Sequence, residues 1–398
     1  MRHRLLLSLV FCGFTASLIA PLRAADAGVK AWEQQVLIPT YLIGPPDPDP
    51  RFYVKGDQSQ GAEHRVYPYP AYDNLTNDKE DKAYKMVYLE NEYVKVGILP
   101  ESGGKIFEAV DKTNGYSFFY HQHVIKPTLI SLLGAWISGG VEWDLPHHHR
   151  ATSFLPVQYS IEQNADGSKT IWVGELELRD RMRWSVGVTL HPGKSYLDVA
   201  FRMVNRTPLP VSMLCFSNVA VHANNDYQII FPPSTQYGTG HSKRQRDMDT
   251  WPISSGARLA AGADLSWWKN HLNGTSVFAW NYQDDFMAGY DHGRHAGTMA
   301  VDDHNVVPGK KFFTWGTDSI EYKLLTDNDG PYIELMVGAY SDNQPDYSWV
   351  QPYEARTWTQ YWYPFRDIDG VKNANIDAAV NLEVKDGKAS VGFFTTSA

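Results

Sequence analysis

Residues 157–173 read Val-Gln-Tyr-Ser-Ile-Glu-Gln-Asn-Ala-Asp-Gly-Ser-Lys-Thr-Ile-Trp-Val. Val157, Tyr159 and Ile161 alternate with polar residues, Asn164-Ala165-Asp166-Gly167 intervenes, and Ile171 and Val173 resume the alternation. A period of two places successive side chains on opposite faces of a strand. Asp-Gly between two such runs supplies the backbone conformation of a tight hairpin turn. The C-terminus repeats the device, with Leu382 and Val384, then Asp386-Gly387, then Val391 and Phe393. Val94, Val96 and Ile98 form another alternating run, as do Leu197, Val199, Phe201 and Met203. No stretch carries a convincing helical period, and there is no internal repeat or low-complexity tract. Many strands separated by turns predict an all-β sandwich. Residues 84–398 are expected to form it as a single large domain. Residues 25–83, which carry the run Pro45-Pro46-Asp47-Pro48-Asp49-Pro50, are expected to be an extended N-terminal segment wrapped on the surface.

The first 24 residues have a different logic. Arg2 and Arg4 precede an apolar run from Leu5 to Ala20, Pro21 breaks it, and Leu22-Arg23-Ala24 offers a small-residue cleavage site. This reads as a secretory signal peptide, so a periplasmic or secreted protein is expected. The run is too short for a stable membrane span, and no later segment is apolar enough to make one. Cleavage leaves Cys215 as the single cysteine, which cannot form an internal disulfide. Its apolar setting, Val211 to Phe216, predicts a buried, inert thiol.

Composition narrows the partners. The chain has 398 residues and a formal net charge of −9, so it has no basic footprint for nucleic acid. It carries 13 Trp, 23 Tyr and 17 Phe, residues that pair an apolar face with sheet propensity and suit both packed sheets and sugar clefts.

Four polar clusters can carry chemistry. The densest is Gly139 to Arg150, with Glu142, Trp143, Asp144, His147, His148, His149 and Arg150 behind a Gly-Gly hinge. In an extended segment His147 and His149 face one side, which makes them candidate ligands for a divalent metal. The second cluster ends in His222, a strand-end imidazole suited to acid–base work. The third is Gly289-Tyr290-Asp291-His292-Gly293, a tight loop presenting Asp291. The fourth is Tyr332-Ile333-Glu334-Leu335-Met336-Val337, where one carboxylate interrupts a strand otherwise built for burial. A charge there is costly unless it is paired or faces a cleft, and burial would tune its pKa. Glu354 follows in Gln351-Pro352-Tyr353-Glu354.

Gly-Gly-Val-Glu-Trp-Asp-Leu-Pro-His (139–147), Ile-Glu-Leu-Met (333–336) and Gln-Pro-Tyr-Glu (351–354) resemble the DUF5107 family of the galactose-mutarotase-like superfamily. The resemblance covers most of the chain. It implies a β-supersandwich with a sugar cleft. Sugar mutarotases use a strand-borne Glu as base and a His as acid, with a further His and an Asp holding hydroxyl groups. By this resemblance Glu334 is the base and His222 the acid. His147 and Asp291 hold substrate, and Arg150 is the candidate for the superfamily's arginine. Trp143, Asp144, Glu142 and Glu354 complete the expected substrate-binding set.

The expected function is therefore that of an exported carbohydrate-active protein acting on an oligosaccharide or polysaccharide. A glycan-processing enzyme, either a glycoside hydrolase or mutarotase-like, is the leading reading. Hydrolysis would draw two carboxylates from Glu334, Glu354, Glu142 and Asp144. No cofactor is required for either reaction, although a divalent metal is possible. The alternative class is a non-catalytic carbohydrate-binding protein, because a fold does not fix a reaction.

Overall fold

The 157–173 stretch is a hairpin: Gln158–Gln163 pairs antiparallel with Lys169–Leu176, with Gln163 opposite Lys169. Its C-terminal counterpart pairs Ala378–Lys385 with Lys388–Thr395. There Asp386 and Gly387 both have positive φ, 51° and 74°, the geometry that an Asp-Gly turn favours. These elements belong to a computed structural model that describes residues 28–49, 66–130, 133–147, 149–342 and 346–397. The signal-peptide reading of residues 1–24 lies outside the described residues.

Two large sheets dominate. The first has 12 strands. Its middle runs, in spatial order, Lys105–Asp111, Val141–Asp144, Cys215–His222, Tyr332–Ala339, Gly309–Thr314 and Thr275–Trp280. The second has eight strands, with Ala355–Arg366, Leu197–Asn205, Met182–Leu190 and Lys169–Leu176 side by side. Every pairing between these strands is antiparallel. The longest helix among the described residues is Glu321–Thr326.

The core lies between the sheets. Leu335, Val337 and Val219 from the first sheet pack in one buried cluster with Val186, Val199 and Met203 from the second. Trp143 meets Phe201 edge to face at 5.7 Å, and Phe119 meets Trp362 at 5.9 Å. Polar contacts cross this core as well: the Ser217 hydroxyl donates to Gln360 Oε1 at 2.6 Å, and Gln360 Nε2 donates to Val337 O at 3.4 Å. Cys215 is buried, as expected.

The N-terminal segment corrects the sequence reading. Lys30–Ile43 and Leu75–Glu90 pair with each other along most of their length, and Leu75–Glu90 then pairs with Val94–Leu99. They form one end of the first sheet rather than a surface wrap. The boundary expected at residue 84 falls inside a strand. The outer half of that strand, Thr76 to Lys82, is mostly charged and largely exposed, so backbone pairing holds it without an apolar alternation to announce it.

Candidate functional site

The first sheet's outer face, turned away from the core, carries the chemistry. Strand register fixes which side chains share it, because residues directly opposite one another point the same way. Glu334 lies opposite Ala220 and Phe313, and Met336 lies opposite Asn218 and Lys311. Asn218 in turn lies opposite Glu142, and Phe216 opposite Asp144. The alternation that sends Leu335 and Val337 into the core therefore sends Glu334, Glu142, Asp144, Asn218 and Lys311 to the other side.

A cleft of about 260 Å³ opens on this face. Glu334, Lys311, Asn218 and His149 supply its polar lining, and Trp136, Phe313 and Trp315 supply apolar walls. His241 and Ser276 close one side. Glu334 is nearly buried, and burial raises its pKa above the ordinary carboxylate value. His149, Lys311 and a hydrogen bond from Asn218 partly oppose that rise.

Beside Glu334 sits a tightly coupled group. Glu142 Oε2 accepts from Trp136 Nε1 at 2.6 Å and stands 2.9 Å from His149 Nδ1. Burial works against a charged His149, but the Glu142 carboxylate outweighs it and lifts the imidazole to about 9. Burial likewise works against ionised Glu142, and the His149 imidazolium overrides it to hold the carboxyl at about 2. Asp144 is fully buried, with Oδ1 at 3.8 Å from His149 Nδ1. Burial and the adjacent Glu142 push its carboxyl well above the usual range. Burial also depresses two lysines here, Lys311 and Lys105, each to about 8. Lys105 Nζ donates to the carbonyls of Ile137 and Ser138 at 3.2 and 3.0 Å. His241 is held down to about 3, first by burial and then by Lys311 and Arg258, so it is a neutral imidazole at neutral pH. The face therefore brings together in one cleft a carboxyl of raised proton affinity, an imidazole lifted by its ion pair and a neutral imidazole.

The structure sorts the expected site residues. Glu334 lines the cleft, and Glu142 holds the lining His149, with Asp144 close by. His222 does not line it. It sits at the far end of its strand with its ring 4.2 Å from that of Tyr120, and burial lowers its pKa to about 4. An imidazole that is neutral above pH 4 carries no proton to donate at neutral pH, which counts against the expected acid role. Trp143 points the other way, into the core, and its indole N–H donates to Gly104 O at 2.8 Å. Alternation within Val141–Asp144 explains this, since neighbours of Glu142 must face the opposite side. Arg150 binds the carbonyls of Trp143 and Gly103 and the Glu175 carboxylate, all away from the cleft. Asp291 ends a strand of the second sheet, where it accepts from Asn224 Nδ2 at 2.7 Å. Glu354 holds a turn, accepting from Gln351 N and from Arg356.

The two imidazoles of the expected His147–His149 metal pair have separate partners. His147 Nε2 is 3.1 Å from Ser212 Oγ and its Nδ1 is 3.5 Å from Asp180. The residues beside His149 that could share a metal with it are Glu142 and Asp144, each offering an atom within 4.8 Å of the others. Lys105, Lys311 and His149 already supply cationic counter-charge to that group.

Sequence reasoning missed Lys311, His241, Trp136 and Asn218. Lys311 had the same signal as Glu334, a charge inside the apolar strand Gly309–Thr314. His241 sits in a turn and Trp136 in an isolated antiparallel bridge with Thr128, and neither carried such a signal.

Comparison with known proteins agrees with this fold. A TPR-domain containing protein from Parabacteroides distasonis superposes with a TM-score of 0.72 at 26% identity, over 85% of this chain and 55% of that one. The chain thus spans little more than half the length of that protein. A galactose mutarotase-like protein from Clostridium acetobutylicum superposes with a TM-score of 0.50 at 10% identity, over 71% of this chain and 96% of that one. That level of identity speaks to the fold alone, which is galactose-mutarotase-like. Residues 62–365 match the model of a domain of unknown function, and on that match the chain belongs to the DUF5107 family.

Proposed function

We propose that this protein is a carbohydrate-active enzyme doing acid–base chemistry on a saccharide held in the Glu334 cleft. The observation that carries the reading is Glu334 itself. It is a carboxyl with raised proton affinity, set in a buried strand and opening beside a protonated imidazole. A base tuned toward neutrality transfers protons most effectively near the working pH. Glu334 takes a proton from a sugar hydroxyl or from water, and His149 replaces His222 as the donor to the departing or ring oxygen. Lys311 and Asn218 hold hydroxyl groups, and the indoles of Trp136 and Trp315 meet the C–H faces of a pyranose. The galactose-mutarotase-like fold and the Glu-bearing strand support this class of substrate. Export and action on an oligosaccharide or polysaccharide belong to the same proposal.

The test begins with a panel of glycans and product analysis. On the substrate so found, Glu334→Gln lowers turnover by roughly 10²-fold or more while affinity and melting temperature stay near wild type. Saccharide binding with no turnover of any panel member identifies a non-catalytic carbohydrate-binding protein instead. Undiminished turnover in the Gln variant removes Glu334 from the mechanism.

A further inference from the structure

The outer face of the second sheet carries a feature that the cleft chemistry does not use. Register aligns Trp172, Gly187, Ala200 and Thr359 in one row across four strands. The next row is Gly174, Ser185, Arg202 and Thr357, and the one after it includes Arg183 and Val204. The Trp172 indole lies over Gly187, since a Cβ there would fall 2.7–2.9 Å from three atoms of its six-membered ring. Only glycine lets the ring settle across the neighbouring strand at that distance. The indole N–H donates to Glu162 Oε2 at 2.7 Å, which fixes the ring's edge.

Beside this platform is a cleft of about 530 Å³ lined by Trp172, Arg183, Ser185, Arg202, Val204 and Arg206. It adjoins a second of about 550 Å³ that shares Trp172, Arg183 and Ser185. Arg183, Arg202 and Arg206 are exposed. Among the described residues no carboxylate oxygen stands within 4.0 Å of their guanidinium groups. Three unpaired guanidiniums in one groove of a protein of net charge −9 mark a place for an anion.

We propose that this face is a second glycan site, taking a uronate-bearing polysaccharide. The guanidinium fork matches a planar carboxylate through two parallel hydrogen bonds. A pyranose ring stacks on the fixed indole over the shallow floor of Gly187, Ala200 and Thr359. Regular carboxylates along the polymer then reach Arg183 and Arg202, which lie on adjacent strands. Single-stranded nucleic acid fits less well, because successive bases need successive aromatic faces and this groove offers one indole. The class of polymer rests on the carbohydrate reading of the protein, but the site needs nothing from the Glu334 cleft.

The experiment is calorimetric titration of the full chain with polygalacturonate, with its carboxyl-reduced neutral counterpart, with dextran sulfate, a polyanionic glycan that has no carboxylate, and with a single-stranded oligodeoxynucleotide of matched charge. Polygalacturonate binds, binding weakens as salt rises, and the neutral polymer does not bind. Arg183→Gln and Arg202→Gln each weaken it roughly tenfold, the effect of losing one charge-assisted contact. Trp172→Ala weakens it further. The two arginine variants, exposed and unpaired in the free protein, keep the wild-type melting temperature. Glu334→Gln binds polygalacturonate as wild type does, so failure of the cleft mechanism leaves this site standing. Absence of binding, wild-type affinity in both arginine variants, or equal affinity for dextran sulfate or the oligonucleotide overturns the proposal.

Discussion

His149 and Glu142 illustrate how a buried charge pair makes stability depend on pH. The folded imidazole titrates near 9 against an ordinary 6.5. Its contribution is therefore complete below pH 6.5 and disappears as pH rises through 9. The Glu142 carboxyl, held near 2 against an ordinary 4.5, contributes above pH 4.5 and stops contributing as pH falls through 2. The pair is thus fully effective between pH 4.5 and 6.5. Lys105 and Lys311, depressed to about 8 from 10.5, act with the opposite sign above pH 8, where stability regains what neutral lysines no longer cost. Glu177, lifted to about 7 by burial, also titrates between pH 6.5 and 8, so the histidine is isolated there only as the difference from a variant that lacks it, a loss of roughly 2 kcal/mol. Melting curves of the wild type and of His149→Gln across that window test this. The wild type loses stability relative to the variant as pH rises, and parallel curves refute the pairing.

At the scale of elements, the Gly139-Gly140 hinge sets where the Val141–Asp144 strand begins, and hence where Glu142 points. Gly140 has φ +58°, and a Cβ there would lie 2.0 Å from the carbonyl oxygen of Ile106, on the neighbouring strand. Gly140→Ala must move backbone, which costs about 1–3 kcal/mol and displaces Glu142 from His149. A lower melting temperature together with a flattened pH profile is expected, and a variant that melts like wild type contradicts this account of the hinge. Elements of this kind differ in how far a sequence announces them. The hairpins at Asp166-Gly167 and Asp386-Gly387 were legible because turn and alternation are local. Glu334 was legible because one charge stood against an apolar strand. Lys30–Ile43 was not, because its partner begins more than 30 residues later, past the end of the strand, and half of that partner is charged. The cleft was legible only in part. His149, Lys311, His241 and Trp136 come from separate segments, and strand order across the sheet, which no local pattern encodes, is what brings them to one face.

Across the whole molecule, the two sheets must hold a fixed relation for the outer faces to keep their shape, and Arg150 is one of the ties. Its side chain is 2% exposed and lies 4.4 Å from the ring of Trp184 on the second sheet. It donates to the Glu175 carboxylate of that sheet at 2.8 Å, and also to the carbonyls of Gly103 and Trp143 on the side of the first. Those contacts use the guanidinium for structure, although the resemblance to sugar mutarotases made Arg150 a candidate for holding substrate. The two roles predict different losses. As a tie, Arg150→Gln takes the guanidinium from the half-buried Glu175 carboxylate, leaving it Thr152 and Trp184 as donors, and unpairs the Gly103 and Trp143 carbonyls, at a cost of about 1–3 kcal/mol. The melting temperature should fall by several degrees for each kcal/mol in a domain of modest size and by less in one this large. Saccharide affinity in the cleft, measured well below that transition, should stay within a factor of two or so of wild type, since no donor that reaches a ligand has been removed. A ligand-holding arginine gives the reverse, with stability nearly unchanged and affinity reduced roughly tenfold or more, as expected for loss of a charge-assisted hydrogen bond. Measuring both quantities on the same variant decides which end of the molecule Arg150 serves.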